Sequence, residues 1–214
     1  MCLALAIIAT TVAACGSTSS PASSTAASVS PSAPPTPDPS SPAGRLATAL
    51  GTLANGYTFE SSVTVAGKVA TKASGQWVAD TSQVTVSAAG RDATYRTVGA
   101  QAWVQQGDGS WVLADTPLPS GDPVSAFGRP ISVTEVGADA NGRDLVATYP
   151  PAALGLTGDT PVSVKVHITP QGVVTLTYES TVTAGAATST TTLKPAAGLQ
   201  PFPDPSSPAA SPSG

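Results

Sequence analysis

The only histidine in the chain, His167, is the residue best suited to acid–base catalysis. It lies beside Lys165 on the polar side of an alternating apolar and polar run. A hydrolase built on serine, histidine and an acid usually holds its nucleophile on the sharp turn of a Gly-x-Ser-x-Gly sequence, and this chain contains no such sequence. We therefore interpret His167 as a solvated surface residue and expect no catalytic residues.

Cys15 offers a different chemistry, because its thiol can be acylated. It ends the sequence VAAC, which follows a short apolar run at residues 3–12. Ten apolar residues are too few to cross about 30 Å of hydrocarbon as a helix, but they suit the core of a secretory signal peptide. The segment resembles the lipobox of bacterial lipoproteins, which implies a diacylglyceryl group on Cys15 and cleavage before it. The alternative is an ordinary signal peptide with a chance cysteine after the cleavage site.

Acylation of Cys15 would place the protein at the cell membrane, on its extracytoplasmic face. Two acyl chains hold a protein stably at a bilayer, at about 0.8 kcal/mol per buried methylene. After cleavage no second cysteine remains, so we expect no intramolecular disulfide and no redox thiol. No Lys or Arg precedes Cys15, so the usual positive region of a signal peptide is missing and we expect the true start codon further upstream.

The composition argues against several classes of partner and cofactor. Charged residues make up 10% of the chain and the net charge is −4, which gives neither the basic surface of a nucleic-acid-binding protein nor a polybasic membrane contact. The sequence has no phosphate-binding loop, dinucleotide fingerprint, EF-hand loop or His/Cys ligand set. We expect a monomer with no nucleic-acid partner, no cofactor and no metal.

Two charged residues lie within predicted strands. Glu60 falls between Phe59 and Ser61, and Arg96 follows Tyr95. The simplest interpretation is an ordinary wet strand face, on which Arg96 could pair with Glu60 or Glu179 across strands. The alternative is that these charges hold the head group of a lipid.

The aromatic residues are the remaining candidates for ligand binding. Aromatic side chains bury 150–250 Å² each, so one interpretation is that they anchor the core. The other is that they line an apolar cleft, and such a cleft would favour acyl chains over sugars or ions. The candidate ligand-binding residues are Tyr57, Phe59, Val63, Trp77, Trp103, Trp111 and Phe127.

The pattern of apolar residues predicts a mainly β (α+β) protein. Leu46, Leu50 and Leu53 form one stripe of a short helix that stops at Asn55-Gly56. After it, apolar and polar residues alternate, which is typical of an antiparallel sheet with one buried face. The predicted strands are 57–66, 68–79, 83–89, 92–99, 101–106, 110–114, 131–137, 144–149, 161–169, 173–182 and 187–193. Turn sequences such as Ala89-Gly90 and Asp108-Gly109 separate them.

Composition divides the chain into four segments. We expect a lipoprotein signal peptide at 1–14, a lipidated Cys15 with a disordered Ser/Pro/Ala tether at 15–42, one domain at 43–194, and a disordered Pro/Ser tail at 195–214. The tether and the tail have too few apolar residues to offset their ordering entropy. Both contain the hexapeptide DPSSPA, at 38–43 and 204–209.

Several phrases resemble the LolA-like half-barrel lipoproteins of actinobacteria, the group that includes the LppX/LprG-type lipid-binding lipoproteins. They are YTFESSVTVAGKV, ASGQWVAD, ATYRTVGAQAWVQQGDGSWVLAD and PVSVKVHITPQG followed by VVTLTYES. The resemblance implies a curved meander sheet whose apolar side is lidded by helices and holds acyl chains. The candidate lid segments, 45–53, 124–127 and 152–156, are short, so we expect a shallow cleft or a filled core.

Two functions from different classes follow. The first is a non-catalytic, membrane-anchored lipoprotein that binds or carries a lipid or glycolipid in an apolar cleft. The alternative is a lipid-anchored module that docks on a protein or on the cell wall and binds no lipid. A roomy apolar cavity under the N-terminal helix would favour the carrier, whereas a filled core with an exposed aromatic patch would favour the interaction module.

Overall fold

Eleven strands form one antiparallel sheet with a helix packed on it in the computed structural model, which describes residues 37–114, 122 and 124–206. The helices are α1 (Pro42–Gly51) and α2 (Val124–Phe127), and a 3-10 turn covers Pro151–Leu154. The first six strands are β1 (Tyr57–Val65), β2 (Lys68–Val78), β3 (Thr81–Ala88), β4 (Arg91–Val98), β5 (Gln101–Gln105) and β6 (Trp111–Leu113). The other five are β7 (Ser132–Asp139), β8 (Gly142–Tyr149), β9 (Val162–Ile168), β10 (Val174–Val182) and β11 (Gly185–Pro195).

This architecture confirms the predicted mainly β antiparallel meander with an N-terminal helix. The predicted signal peptide, Cys15 and the tether up to residue 36 lie outside the described residues.

The chain meanders outward twice from the centre of the sheet. The strand order is β6-β5-β4-β3-β2-β1-β11-β10-β9-β8-β7, so every strand except β1 and β11 pairs only with its neighbours along the chain. The first and last strands pair with each other, from Tyr57 opposite Pro195 to Val65 opposite Ala187. The sheet therefore has a first half (β1–β6) and a second half (β7–β11), with β6 and β7 at its two edges.

Local chemistry fixes the start of α1. The side chain of Ser41 accepts a hydrogen bond from the Gly44 amide at 3.0 Å, and Pro42 occupies the first helical turn. A Cβ on Gly44 would lie 1.9 Å from the carbonyl oxygen of Asp38, so only glycine fits there. The helix begins three residues before the segment 45–53 suggested by the leucine stripe, because the stripe does not reveal its capped first turn.

The strand register defines two faces of the sheet. Tyr57 pairs with Trp77 and Phe59 pairs with Leu193, so these side chains share one face, here called the helix face. Thr58, Gln76 and Lys194 alternate onto the opposite face, here called the tail face.

The hydrophobic core lies between α1 and the helix face of the second half. Leu46 and Leu50 of α1, with Leu53 just after it, pack against alternate residues of β8–β10. These strand residues are all buried: Leu145, Ala147, Tyr149, Val164, Val166, Val174 and Leu176. Among the described residues, none of the fully buried members of this core comes from β2–β6.

The C-terminal segment departs from the prediction. The sequence predicts a disordered tail from residue 195, but Pro195 belongs to β11 and the Ala196 amide donates to the Gly56 carbonyl oxygen at 3.1 Å. Residues 196–206 then follow the tail face of the first half, where Phe202 contacts Thr81 and Arg96. The tail is rich in Pro and Ser, so its composition predicts disorder although this one aromatic residue binds the sheet. Residues 207–214 lie outside the described part of the chain.

Candidate functional site

The structure divides the seven predicted ligand-binding residues between the two faces of the sheet. Tyr57, Phe59, Val63 and Trp77 share the helix face, and Phe127 packs on the core of that face. Trp103 pairs with Arg96, and Arg96 pairs with Gln83, which places Trp103 on the tail face. Trp111 pairs with Gln105 and also lies on the tail face. A single cleft lined by all seven is therefore not formed.

Tyr57 is a structural anchor at the centre of the sheet. Its side chain is fully buried, and its hydroxyl donates to the Asp122 carboxylate at 2.7 Å. The same carboxylate oxygen accepts the Val124 amide at 2.9 Å and so begins α2. Burial, together with the bond to Asp122, raises the pKa of Tyr57, so its hydroxyl stays protonated.

Phe127 and Tyr149 hold α2 against the second half. Their rings meet edge to face with centroids 5.8 Å apart, and the Tyr149 hydroxyl donates to the Phe127 carbonyl oxygen at 2.9 Å. Burial raises the pKa of Tyr149 to about 12. Like Tyr57, these residues close the core.

The helix face of the first half carries a line of apolar residues, interrupted only by the missing side chain of Gly75 and here called the apolar row. Cross-strand pairs join Phe59 through Gly75 to Val84, Tyr95, Val104 and Val112. The row crosses six strands and is about 24 Å long at the usual strand spacing. Its residues up to Val104 are half-buried, and Val112 at its end is 50% exposed.

Gly75 belongs to ASGQWVAD, one of the segments that resemble the LolA-like lipoproteins, and the structure shows why glycine occupies this position. It is the glycine of Gly75-Gln76-Trp77, and a Cβ at this position would lie 2.3 Å from the carbonyl oxygen of Gln83. Glycine is therefore required where β2 and β3 approach each other. It also leaves the apolar row without a side chain between Phe59 and Val84.

An ion cluster holds α1 at the opposite edge of the sheet. The Glu135 carboxylate on β7 accepts a hydrogen bond from Arg143 at 3.0 Å and a second from Arg45 of α1. Glu135 is not among the residues singled out from the sequence. The available signal was its position two residues after Val133, which places both on the helix face.

The charged residues singled out in the sequence do not form a catalytic set. His167 Nδ1 lies 2.7 Å from the Asp144 carboxylate in an exposed pair, and Glu60 contacts Lys194 at 3.4 Å in another. Arg96 does not pair with Glu60 or Glu179, because Gln83 directly opposite accepts its hydrogen bonds. Within the described residues, no group of three or more His, Cys, Asp or Glu side chains is arranged to hold a metal ion.

Two cavities of the described residues open on the tail face. The larger, of about 800 Å³, lies between β8–β10 and the loop at residues 156–161. Its walls mix Lys165, Glu179 and Thr177 with Pro151 and Leu156. The smaller, of about 230 Å³, is bounded by Thr58, Ser74, Gly75, Gln76, Gln83 and Thr85. Neither has the apolar lining expected of a closed acyl-chain cavity.

A second cluster forms on the tail face of the first half. The Arg96 guanidinium carbon lies 4.4 Å from the Trp111 ring centroid and 5.3 Å from that of Phe202. The Phe202 amide donates to Thr81 Oγ1 at 3.1 Å, and Arg96 Nη1 donates to the Pro203 carbonyl oxygen at 3.3 Å. This cluster is not predictable from periodicity, because the tail has none; the available signal was Phe202 between two prolines.

No protein-family model matches the sequence, and no curated protein or solved structure matches it either. None of the described helices is long and apolar enough to cross a membrane.

Proposed function

We propose that the protein is a lipid-anchored, non-catalytic lipoprotein that binds an amphiphile, a lipid or glycolipid, along the apolar row. The apolar row carries this proposal, because it extends the apolar helix face beyond the core that α1 covers. The eleven-stranded meander with its N-terminal helix is consistent with a LolA-like half-barrel, and that resemblance supports the same ligand class.

The geometry favours an acyl chain lying across the strands. The row presents aliphatic and aromatic side chains with Tyr95 near its middle. Each methylene buried against them would contribute about 0.8 kcal/mol. The cluster of Arg45, Glu135 and Arg143 lies at the other edge of the sheet, so no ion pair of that cluster interrupts the row.

Attachment to the membrane would come from Cys15. The VAAC sequence and the apolar run before it support processing as a lipoprotein on the extracytoplasmic face of the cell membrane. The tether would then let the domain reach the surface of the bilayer or a neighbouring membrane. The 21 residues from 16 to 36, which precede the described part of the chain, would span about 25 Å as a coil.

The filled core beneath α1 favours a second candidate, an interaction module without a lipid ligand. Leu46 and Leu53 are 1% exposed and Tyr57 is fully buried, so the space under the helix is occupied. On the edge strand β6, Val112 at the end of the apolar row is 50% exposed, and Leu113 on the opposite, tail face is 54% exposed. A protein partner that covers Val112 would occupy the surface that we assign to an amphiphile.

Native mass spectrometry of the mature chain carrying Cys15→Ser tests the amphiphile proposal. The chain would be secreted by an actinobacterial host, purified without detergent, and incubated with total membrane lipid. We expect adducts in the mass range of phospholipids or glycolipids. The variants Tyr95→Asp and Val112→Asp, which place a charge in the row, should lose them.

Val69→Asp is the matched control. Val69 is 56% exposed, close to the 50% of Val112, but it pairs with Thr64 and lies on the tail face. Adducts that persist in this control and vanish in Val112→Asp would support the apolar row. A bare protein mass in the presence of lipid would reject the amphiphile proposal. Capture of a protein partner that Val112→Asp abolishes would then support the interaction module.

A further inference from the structure

The Pro201-Phe202-Pro203 sequence of the tail is suited to docking as an extended peptide. Each proline fixes φ near −65° and lacks an N–H, so the segment loses little conformational entropy when it docks. Phe202 has the only N–H in these three residues, and it donates to Thr81 Oγ1. The carbonyl oxygen of Pro203 accepts from Arg96. Two side chains of the sheet thus pair with the one backbone donor of the segment and with its last carbonyl oxygen.

The surface beneath this segment is organised by the sheet itself. The Gln83 side chain accepts hydrogen bonds from Arg96 Nη2 and Nε at 2.8 and 3.2 Å, which fixes the plane of the guanidinium. Thr81 is 3% exposed and donates to the Val78 carbonyl oxygen at 3.0 Å, which directs its lone pairs toward the tail. Thr81 and Gln83 lie on β3 and Arg96 on β4, so the strand pairing of the sheet fixes their backbone positions.

Arg96 and Trp111 together present a flat surface to the tail. The Arg96 guanidinium lies within the 6 Å range of cation–π contacts from both the Trp111 ring and the Phe202 ring. Aromatic surfaces with fixed hydrogen-bonding groups are the usual receptors for proline-rich peptides.

We propose that Thr81, Gln83, Arg96 and Trp111 form a binding site for proline-flanked aromatic peptides, and that residues 199–204 are its resident ligand. Because the tail is tethered to β11, its effective concentration at the site is in the millimolar range. Modest contacts therefore keep it in place. A peptide of the same chemistry binds when the resident segment is weakened or displaced.

Fluorescence anisotropy with a labelled peptide of residues 199–206 tests this site. The receptor is the mature chain with Cys15→Ser, compared with the same chain carrying Phe202→Ala. We expect saturable binding to the Phe202→Ala chain at least about tenfold tighter than to the chain with its native tail, since the native tail competes. Adding Arg96→Ala should abolish that binding. A peptide with alanine in place of its phenylalanine is the matched ligand control.

Acrylamide quenching of tryptophan gives a second readout that needs no added peptide. Phe202→Ala and, separately, Arg96→Lys should raise the quenching of Trp111, identified by its loss in a Trp111→Phe background. Arg96→Lys keeps the charge but removes the planar group. Unchanged quenching in both variants, or peptide binding that is indifferent to Arg96→Ala or to the peptide's phenylalanine, would overturn the proposal. So would the absence of saturable binding to a folded Phe202→Ala chain.

Discussion

The two halves of the sheet bury their apolar residues in different ways. In the second half, α1 and α2 cover the helix face, and residues such as Val164 and Leu176 are at most 1% exposed. In the first half the same face keeps Val84, Tyr95 and Val104 only half-buried, while the tail segment occupies part of the opposite face. Strands with similar alternating sequences therefore bury their apolar face where a helix packs on it and leave it partly exposed where none does. We assign stability to the second half and ligand contact to the first.

The largest expected effect comes from truncating a buried side chain in the core of the second half. Leu176→Ala removes a side chain that is 1% exposed and should lower the free energy of unfolding by about 2–5 kcal/mol. Leu113→Ala, at 54% exposure on β6, should change it by less than about 0.5 kcal/mol. Urea denaturation of both variants measures the difference. Equal losses would contradict the assignment of the core to the second half.

Gly75→Ala tests how closely β2 and β3 must approach in the first half. The added methyl group would lie 2.3 Å from the Gln83 carbonyl oxygen, so the two strands must shift. We expect a loss of about 1–3 kcal/mol in the free energy of unfolding. Ala73→Gly, on the same strand and face, is the control for a change of one methyl group. A neutral Gly75→Ala would mean that the strands separate without cost.

The next prediction uses the raised pKa of Tyr149. An unfolded tyrosine titrates near pH 10, whereas burial raises the pKa of Tyr149 in the folded chain to about 12. Between these values the folded state keeps a proton that the unfolded state releases, so stability falls as pH rises. Tyr149→Phe should reduce the loss of stability with rising pH by the contribution of one titrating group, while Tyr57 continues to contribute. Urea midpoints measured from pH 8 to 11.5 follow the effect, and an unchanged slope would contradict it.

The smallest expected effect is at His167. Its contact with Asp144 is an exposed ion pair, and such pairs contribute about 0–1 kcal/mol. His167→Ala should leave both the thermal midpoint and amphiphile binding nearly unchanged. A variant that folds normally but loses binding or an activity would show that His167 belongs to a functional site.

Periodicity was sufficient to predict the strands. The alternation at 161–169 corresponds to β9 (Val162–Ile168), and the predicted strand 83–89 begins two residues after the observed start of β3. Two-residue turns at Ala79-Asp80 and Ala89-Gly90 then leave little freedom in the topology. These features are local, so the sequence expresses them directly.

The positions of the tryptophans could not be predicted in the same way. Trp77 and Trp103 lie on opposite faces because the face of each strand depends on the register of every pairing between them. A shift of one residue in any turn would exchange the faces. The contact of Phe202 with Arg96 joins positions 106 residues apart in the chain and has no local pattern.

Hydrogen–deuterium exchange of the mature Cys15→Ser chain, with and without total membrane lipid, tests the central comparison most directly. We predict that lipid slows amide exchange in β3–β5 of the first half and leaves β8–β10 unchanged, because the second half is already closed by α1. Val112→Asp should remove the effect and Val69→Asp should keep it. Protection confined to the second half, or no protection in the first, would contradict the assignment of ligand contact to the apolar row.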